Sequence, residues 1–154
     1  MTNFELSLPF IFWILMNLAN IFDAMGDAFM KNSKWFLSKT FQMLMVLSLC
    51  AMIPLAIFMP PEFTTWPCWL YFALMYMFIR VGVFNVVWAM VKFGRVNKKF
   101  YWYYLGGTSL WDRFLEWIIT KGGFPQKTFL RLFYIIFWIV SIGVLTNGFY
   151  LIPE

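Results

Sequence analysis

The amino-acid sequence predicts an all-α integral membrane protein, a single domain over residues 1–154 with four transmembrane helices and one amphipathic interfacial helix. Three observations predict it. Of the 154 residues 62% are hydrophobic and 12% charged, whereas soluble domains carry about 25% charged residues. Four continuous apolar runs are each close to the roughly 20 residues that cross hydrocarbon as a helix. The basic residues fall in alternate connections between those runs. Continuous runs, rather than alternating segments of about ten residues, also exclude a β-barrel.

The first run covers about 6–25. No Lys or Arg precedes it and Glu5 stands at its start; a signal peptide needs a positive leading region, so this segment is expected to stay in the protein. It carries Asn17, Asn20, Asp23 and Asp27. On a helix the last three fall within about 60° of one another, and such a polar stripe in a membrane must face a partner or a water-filled cavity. The second run, about 41–59, contains Pro54, which leaves the carbonyl of Cys50 without its donor and predicts a kink. The third, about 68–91, holds Arg80 near its middle and Asn85 about 7 Å deeper at 1.5 Å per residue. That depth matches Asp23, and Arg80 reaches the same level along its stem. An Asp23–Arg80 ion pair is therefore expected, with Asn20 and Asn85 completing its hydrogen bonds. The fourth run covers about 129–151.

Charge sets the orientation. Lys31, Lys34 and Lys39 lie between the first two runs, and Lys92, Arg95, Lys98, Lys99, Arg113, Lys121, Lys127 and Arg131 between the last two. The connection at 60–67 and both tails hold no basic residue. Eleven of the twelve basic side chains thus share one side, which the positive-inside rule makes cytoplasmic. The expectation is a bacterial inner membrane protein with both termini extracytoplasmic.

The connection 92–128 is too long for an idle loop and reads as a cytoplasmic interfacial platform. Ser109-Leu110-Trp111-Asp112 has the form of a capping box. The helix it opens gathers Asp112, Arg113, Glu116 and Thr120 on one polar face. Leu110, Trp111, Phe114, Leu115, Trp117 and Ile118 fill the rest, as in helices that lie among headgroups. Gly122-Gly123-Phe124-Pro125 ends it. Trp35, Trp66, Trp69, Trp88 and Tyr150 stand where aromatic belts are expected.

The chemistry is thin. There is no histidine, so the usual general base and commonest metal ligand are missing, and no nucleophile–base arrangement can be assembled. The methionines are scattered and read as gap fillers; no metal site or cofactor is expected. Cys50 lies mid-run and Cys68 at an edge, which argues against a disulfide. Asn20-x-x-Asp23-x-x-x-Asp27 resembles the aspartate-rich helix of intramembrane prenyltransferases, where carboxylates hold magnesium and a diphosphate. Asn20 stands where that family has Asp, no second such motif follows, and four helices are about half of that fold.

The partners expected are the bilayer, with anionic headgroups on the cytoplasmic side, and a membrane protein or a second copy of the chain. Nucleic acid is not expected, because interleaved aromatics and cations belong at a bilayer interface. The function expected is that of a small subunit or accessory protein of a membrane complex. One alternative is a membrane enzyme or small transporter whose site comprises Asn20, Asp23, Asp27, Arg80 and Asn85, joined by Asp112 and Glu116. The other is a phage-type permeabilising or exclusion protein.

Overall fold

Residues 3–31, 33–57, 66–97 and 110–148 are described by the computed structural model, and among them all regular structure is helical. Leu8–Lys31, Trp35–Ile57, Trp66–Phe93 and Gln126–Val144 are long and apolar enough to cross a membrane.

The first helix, α1 (Asn3–Lys31), runs past the end expected at 25. Main-chain hydrogen bonding does not depend on apolar side chains, so Asp27 and Lys31 continue the helix. It ends in a Schellman-type turn: Ser33 sits at φ 57°, its N–H donates to the Met30 carbonyl at 3.1 Å, and the Lys34 N–H donates to the Phe29 carbonyl at 2.9 Å. That turn is so short that α2 (Trp35–Cys50) begins well before the expected residue 41. A break at Ala51 separates α2 from α3 (Met52–Ile57), one turn before Pro54. The third stretch is α4 (Trp66–Ile79), a π-turn over Arg80–Phe84, and α5 (Asn85–Asn97), which overruns its expected end at 91. The amphipathic helix α6 (Leu110–Gly122) ends like α1: Gly123 has φ 64° and the Phe124 N–H donates to the Ile119 carbonyl at 3.2 Å. Then α7 (Gln126–Gly148) starts at Pro125, whose carbonyl accepts from the Phe129 N–H at 2.9 Å. Ser109, Tyr150, the aromatic run 100–104 and the connection 60–65 lie outside the described residues. Cys50 and Cys68 are not joined in a disulfide.

Small residues set how the helices approach. Gly26 of α1 lies against Ser38 and Gln42 of α2, and a Cβ there would come within 3.3 Å of the Ser38 carbonyl. Phe41 stacks on Phe29 and Phe22 across the same pair. Leu8, Phe12 and Met16 of α1 bury against Phe72, Met75 and Ile79 of α4.

Phe12 meets Phe72, and Asn20 meets Arg80 at the same offset of 60 residues, so α1 and the third stretch run parallel. Against α7 the pairs run the other way, with Trp13 on Ser141 and Asn17 on Trp138. Extended to their ends, these registers bring Lys31, Lys92 and Lys127 to one end of the bundle.

At Gly82, in the π-turn, the backbone of α7 comes close. A Cβ there would lie 2.9 Å from the Trp138 amide nitrogen and 3.0 Å from the Tyr134 carbonyl. Only a residue without a side chain permits that contact.

Candidate functional site: a polar seam along the first helix

Trp13, Asn17, Asn20, Asp23 and Asp27 recur at spacings of three and four, so they form one stripe along α1. The fold turns the upper four toward the third stretch and α7. At one end the Trp13 indole N–H donates to the Ser141 hydroxyl at 3.2 Å, and that hydroxyl donates to the Trp138 carbonyl at 2.6 Å. Asn17 accepts from the Trp138 indole at 3.3 Å and donates to the Trp13 carbonyl at 2.8 Å. Asn20, 1% exposed, donates to the Met16 carbonyl at 2.8 Å and accepts from Arg80 at 3.3 Å. The same guanidinium nitrogen forms the ion pair with Asp23.

The π-turn shapes the Arg80 end. Its wider turn stacks residues four apart more closely than an α-helix does, and the Arg80 guanidinium lies 3.8 Å from the centre of the Phe84 ring. A cation held between a carboxylate, an amide oxygen and a ring face is well satisfied away from bulk water. The side chain of Arg80 nonetheless keeps 38% exposure and that of Asp23 keeps 23%.

The other expected members separate from this pair. Asn85 does not complete it; it sits within hydrogen-bonding reach of the Tyr134 hydroxyl on α7. Five residues place Asn85 about 140° from Arg80 on an ideal helix, and the π-turn does not bring it back to the α1 side. Asp27 is exposed, one turn beyond Asp23, with Lys31 one turn further along α1. Among the described residues no three His, Cys, Asp or Glu side chains gather as a metal centre would need.

The interfacial helix also departs from expectation. Asp112 does not share an exposed polar face with Arg113 and Glu116; it is 7% exposed, in the first turn of α6 where the helix dipole favours a carboxylate. It faces the neighbourhood of Tyr134. With Leu115 and Ile119 it forms the docked face, packed on Leu130, Tyr134 and Val86. Arg113 and Glu116 are exposed.

No family model, curated protein or solved structure matches the chain.

Trp13, Trp138, Ser141 and Tyr134 were not foreseeable from the polar stripe alone. The signal was present in part: Trp13 continues the Asn17–Asn20–Asp23 spacing by one more turn. The direction of an indole N–H depends on its neighbour, which periodicity does not report.

On the outer side of the same contact lies an apolar groove of about 380 Å³, between the third stretch and α7. Gly82, Val83, Val86, Ile135 and Ile139 line it, with Trp138 at one wall.

Proposed function

We propose that the chain is a small integral membrane subunit or accessory protein that packs against another membrane protein or a second copy of itself. Its spans lie in a bacterial inner membrane. The basic end of the bundle is cytoplasmic, and the start of α1 and the end of α7 are extracytoplasmic. One observation carries the subunit reading: the polar groups of the seam bond helix to helix, while the far face of the second span and the groove beside Gly82 are open and apolar. Asn17, Asn20, Trp13, Trp138 and Ser141 each spend their hydrogen bonds on a neighbouring helix or on their own backbone. By contrast only 6% of the second span is buried against 39% of the first, and the groove beside Gly82 is lined by side chains that bind a helix by shape rather than by charge.

Native mass spectrometry after gentle extraction from the native membrane tests this reading. A second polypeptide, or a multiple of 18.4 kDa, is expected. A bare monomer from several mild detergents contradicts it.

The exposure left on Arg80 favours one alternative, a membrane enzyme or small transporter using the Asp23–Arg80 site. Under it, Asp23→Asn with a normal folded yield abolishes a transport or turnover signal in proteoliposomes.

A further inference from the structure

Both hydrogen bonds of Arg80 leave from one atom. Nη1 donates to Asn20 and to Asp23, and among the described residues Nη2 and Nε have no partner. Nη1 lies on the Cδ side of the guanidinium. Nε and Nη2 therefore share the edge that grips a carboxylate or phosphate with two parallel hydrogen bonds. With 3.8 Å between its centre and the guanidinium carbon, the Phe84 ring covers a face of the group and not that edge. The side chain keeps 38% exposure. A charged edge left bare in hydrocarbon is costly, so water or a polar ligand must meet it.

Asp27 supplies the opposite charge nearby. It is exposed, one turn or about 6 Å along α1 from Asp23, and within electrostatic reach of Arg80, Asp23 and Lys31. Among the described residues it makes no hydrogen bond or ion pair. Asp23 and Asp27 outweigh Arg80 by one charge, so a simple anion is repelled. A simple cation would satisfy Asp27 and leave the guanidinium edge bare. A zwitterion satisfies both. Arg80, at the level of Asp23, is the deeper of the two groups, and Asp27 is nearer the basic end. A phosphoethanolamine headgroup in the leaflet at that end has the same order, with its phosphate toward the hydrocarbon and its ammonium outward.

We propose that Arg80 and Asp27 bind the zwitterionic headgroup of a phosphatidylethanolamine. The phosphate takes the Nε–Nη2 edge of Arg80, and the primary ammonium donates to the Asp27 carboxylate. Asn20 and Asp23 hold the guanidinium in place from its other side. The quaternary ammonium of phosphatidylcholine has no N–H to donate, and phosphatidylglycerol carries no cation for Asp27. The site is that of the alternative reading above, and it rests on the membrane placement rather than on turnover, transport or a protein partner.

The full chain in nanodiscs of equal phosphatidylethanolamine, phosphatidylcholine and phosphatidylglycerol, read by native mass spectrometry of retained lipid, tests the site. About fivefold enrichment of phosphatidylethanolamine over each of the others is expected, the effect of one partly exposed ion pair. D27N breaks no helix–helix bond and should bring phosphatidylethanolamine and phosphatidylcholine near parity. R80K keeps the charge without the fork and should lose the enrichment as well; where it folds poorly, D27N decides alone. K31Q, one turn further along α1, should leave the enrichment unchanged. Equal retention by the unaltered chain, enrichment of phosphatidylglycerol instead, an unchanged preference in D27N or an equal loss in K31Q overturns the site. Displacement by free phosphoethanolamine overturns the lipid as the source of the headgroup. Quenching of the tryptophans by chain-brominated lipid tests placement separately. Quenching without lipid preference removes the site alone; absence of quenching removes the membrane placement.

Discussion

The first and second spans are similar in length and apolar content, yet the first packs on every other span and the second almost only on the first. α1 carries a polar residue on nearly every turn of one face, and those residues meet α7 and the π-turn through side-chain hydrogen bonds and an ion pair. The second span, α2 and α3, meets α1 through small and aromatic contacts around Gly26 and Phe41, and its far face of Met43, Val46, Leu47 and Ile53 is exposed. Lipid solvates apolar side chains as well as other helices do, so apolar residues alone do not decide which helices associate. Polar groups and close-approach glycines decide it.

That contrast can be broken most severely at Arg80. Removing one partner of a buried ion pair costs about 3–5 kcal/mol. The 38% exposure of Arg80 places Asp23→Asn below that range, at about 2–3 kcal/mol. The check is reversible unfolding in mixed micelles, where a loss under 0.5 kcal/mol removes the pair from the fold's energetics. Next in size is Gly82→Leu, which must push α7 away from the π-turn. Overpacking of this kind costs about 1–3 kcal/mol, and a cysteine pair across α4 and α7 should cross-link more slowly in the variant.

The two helix ends provide an opposed pair of smaller effects. Gly123→Ala places a side chain at φ 64° and should destabilise by about 1 kcal/mol. Ser33→Gly relieves the same conformation and should stabilise by up to about 1 kcal/mol. Melting temperatures moving in the same direction would deny that the two turns are equivalent. Smaller still, Ser141→Ala removes one interhelical hydrogen bond, worth about 0.6 kcal/mol on average in a membrane bundle. On the second span, Val46→Ala with Leu47→Ala should change the isolated chain's unfolding little and weaken the assembly. A large loss in the isolated chain would mean that this face packs on the bundle.

Much of this architecture is legible in the sequence because its causes are local. Apolar run length sets the spans, Pro54 marks the break beside Ala51, and Gly123 with Pro125 marks the corner between α6 and α7. The 1.5 Å rise puts Asn85 at the depth of Asp23, Arg80 reaches that level along its stem, and the fold brings Asp23 and Arg80 into contact. What could not be read depends on rotation rather than depth. Asn85 lies about 140° around the helix from Arg80 and meets Tyr134 instead, a rotation that matching depths does not report. Charge and spacing put Asp112 on the polar face of α6, but the docked face is set by where Leu115 and Ile119 meet α7. The helices run past the apolar boundaries because charged residues such as Lys31 continue a helix readily.

The Asp23–Arg80 contact is the point where the seam can be measured directly. A double-mutant cycle of Asp23→Asn and Arg80→Gln, read as unfolding free energy in bilayer-like micelles, isolates the coupling between them. We expect a coupling of about 1–3 kcal/mol, with the double variant less damaged than the sum of the single variants. Strict additivity, with each single variant near neutral, would contradict a seam that holds α1 to the third span.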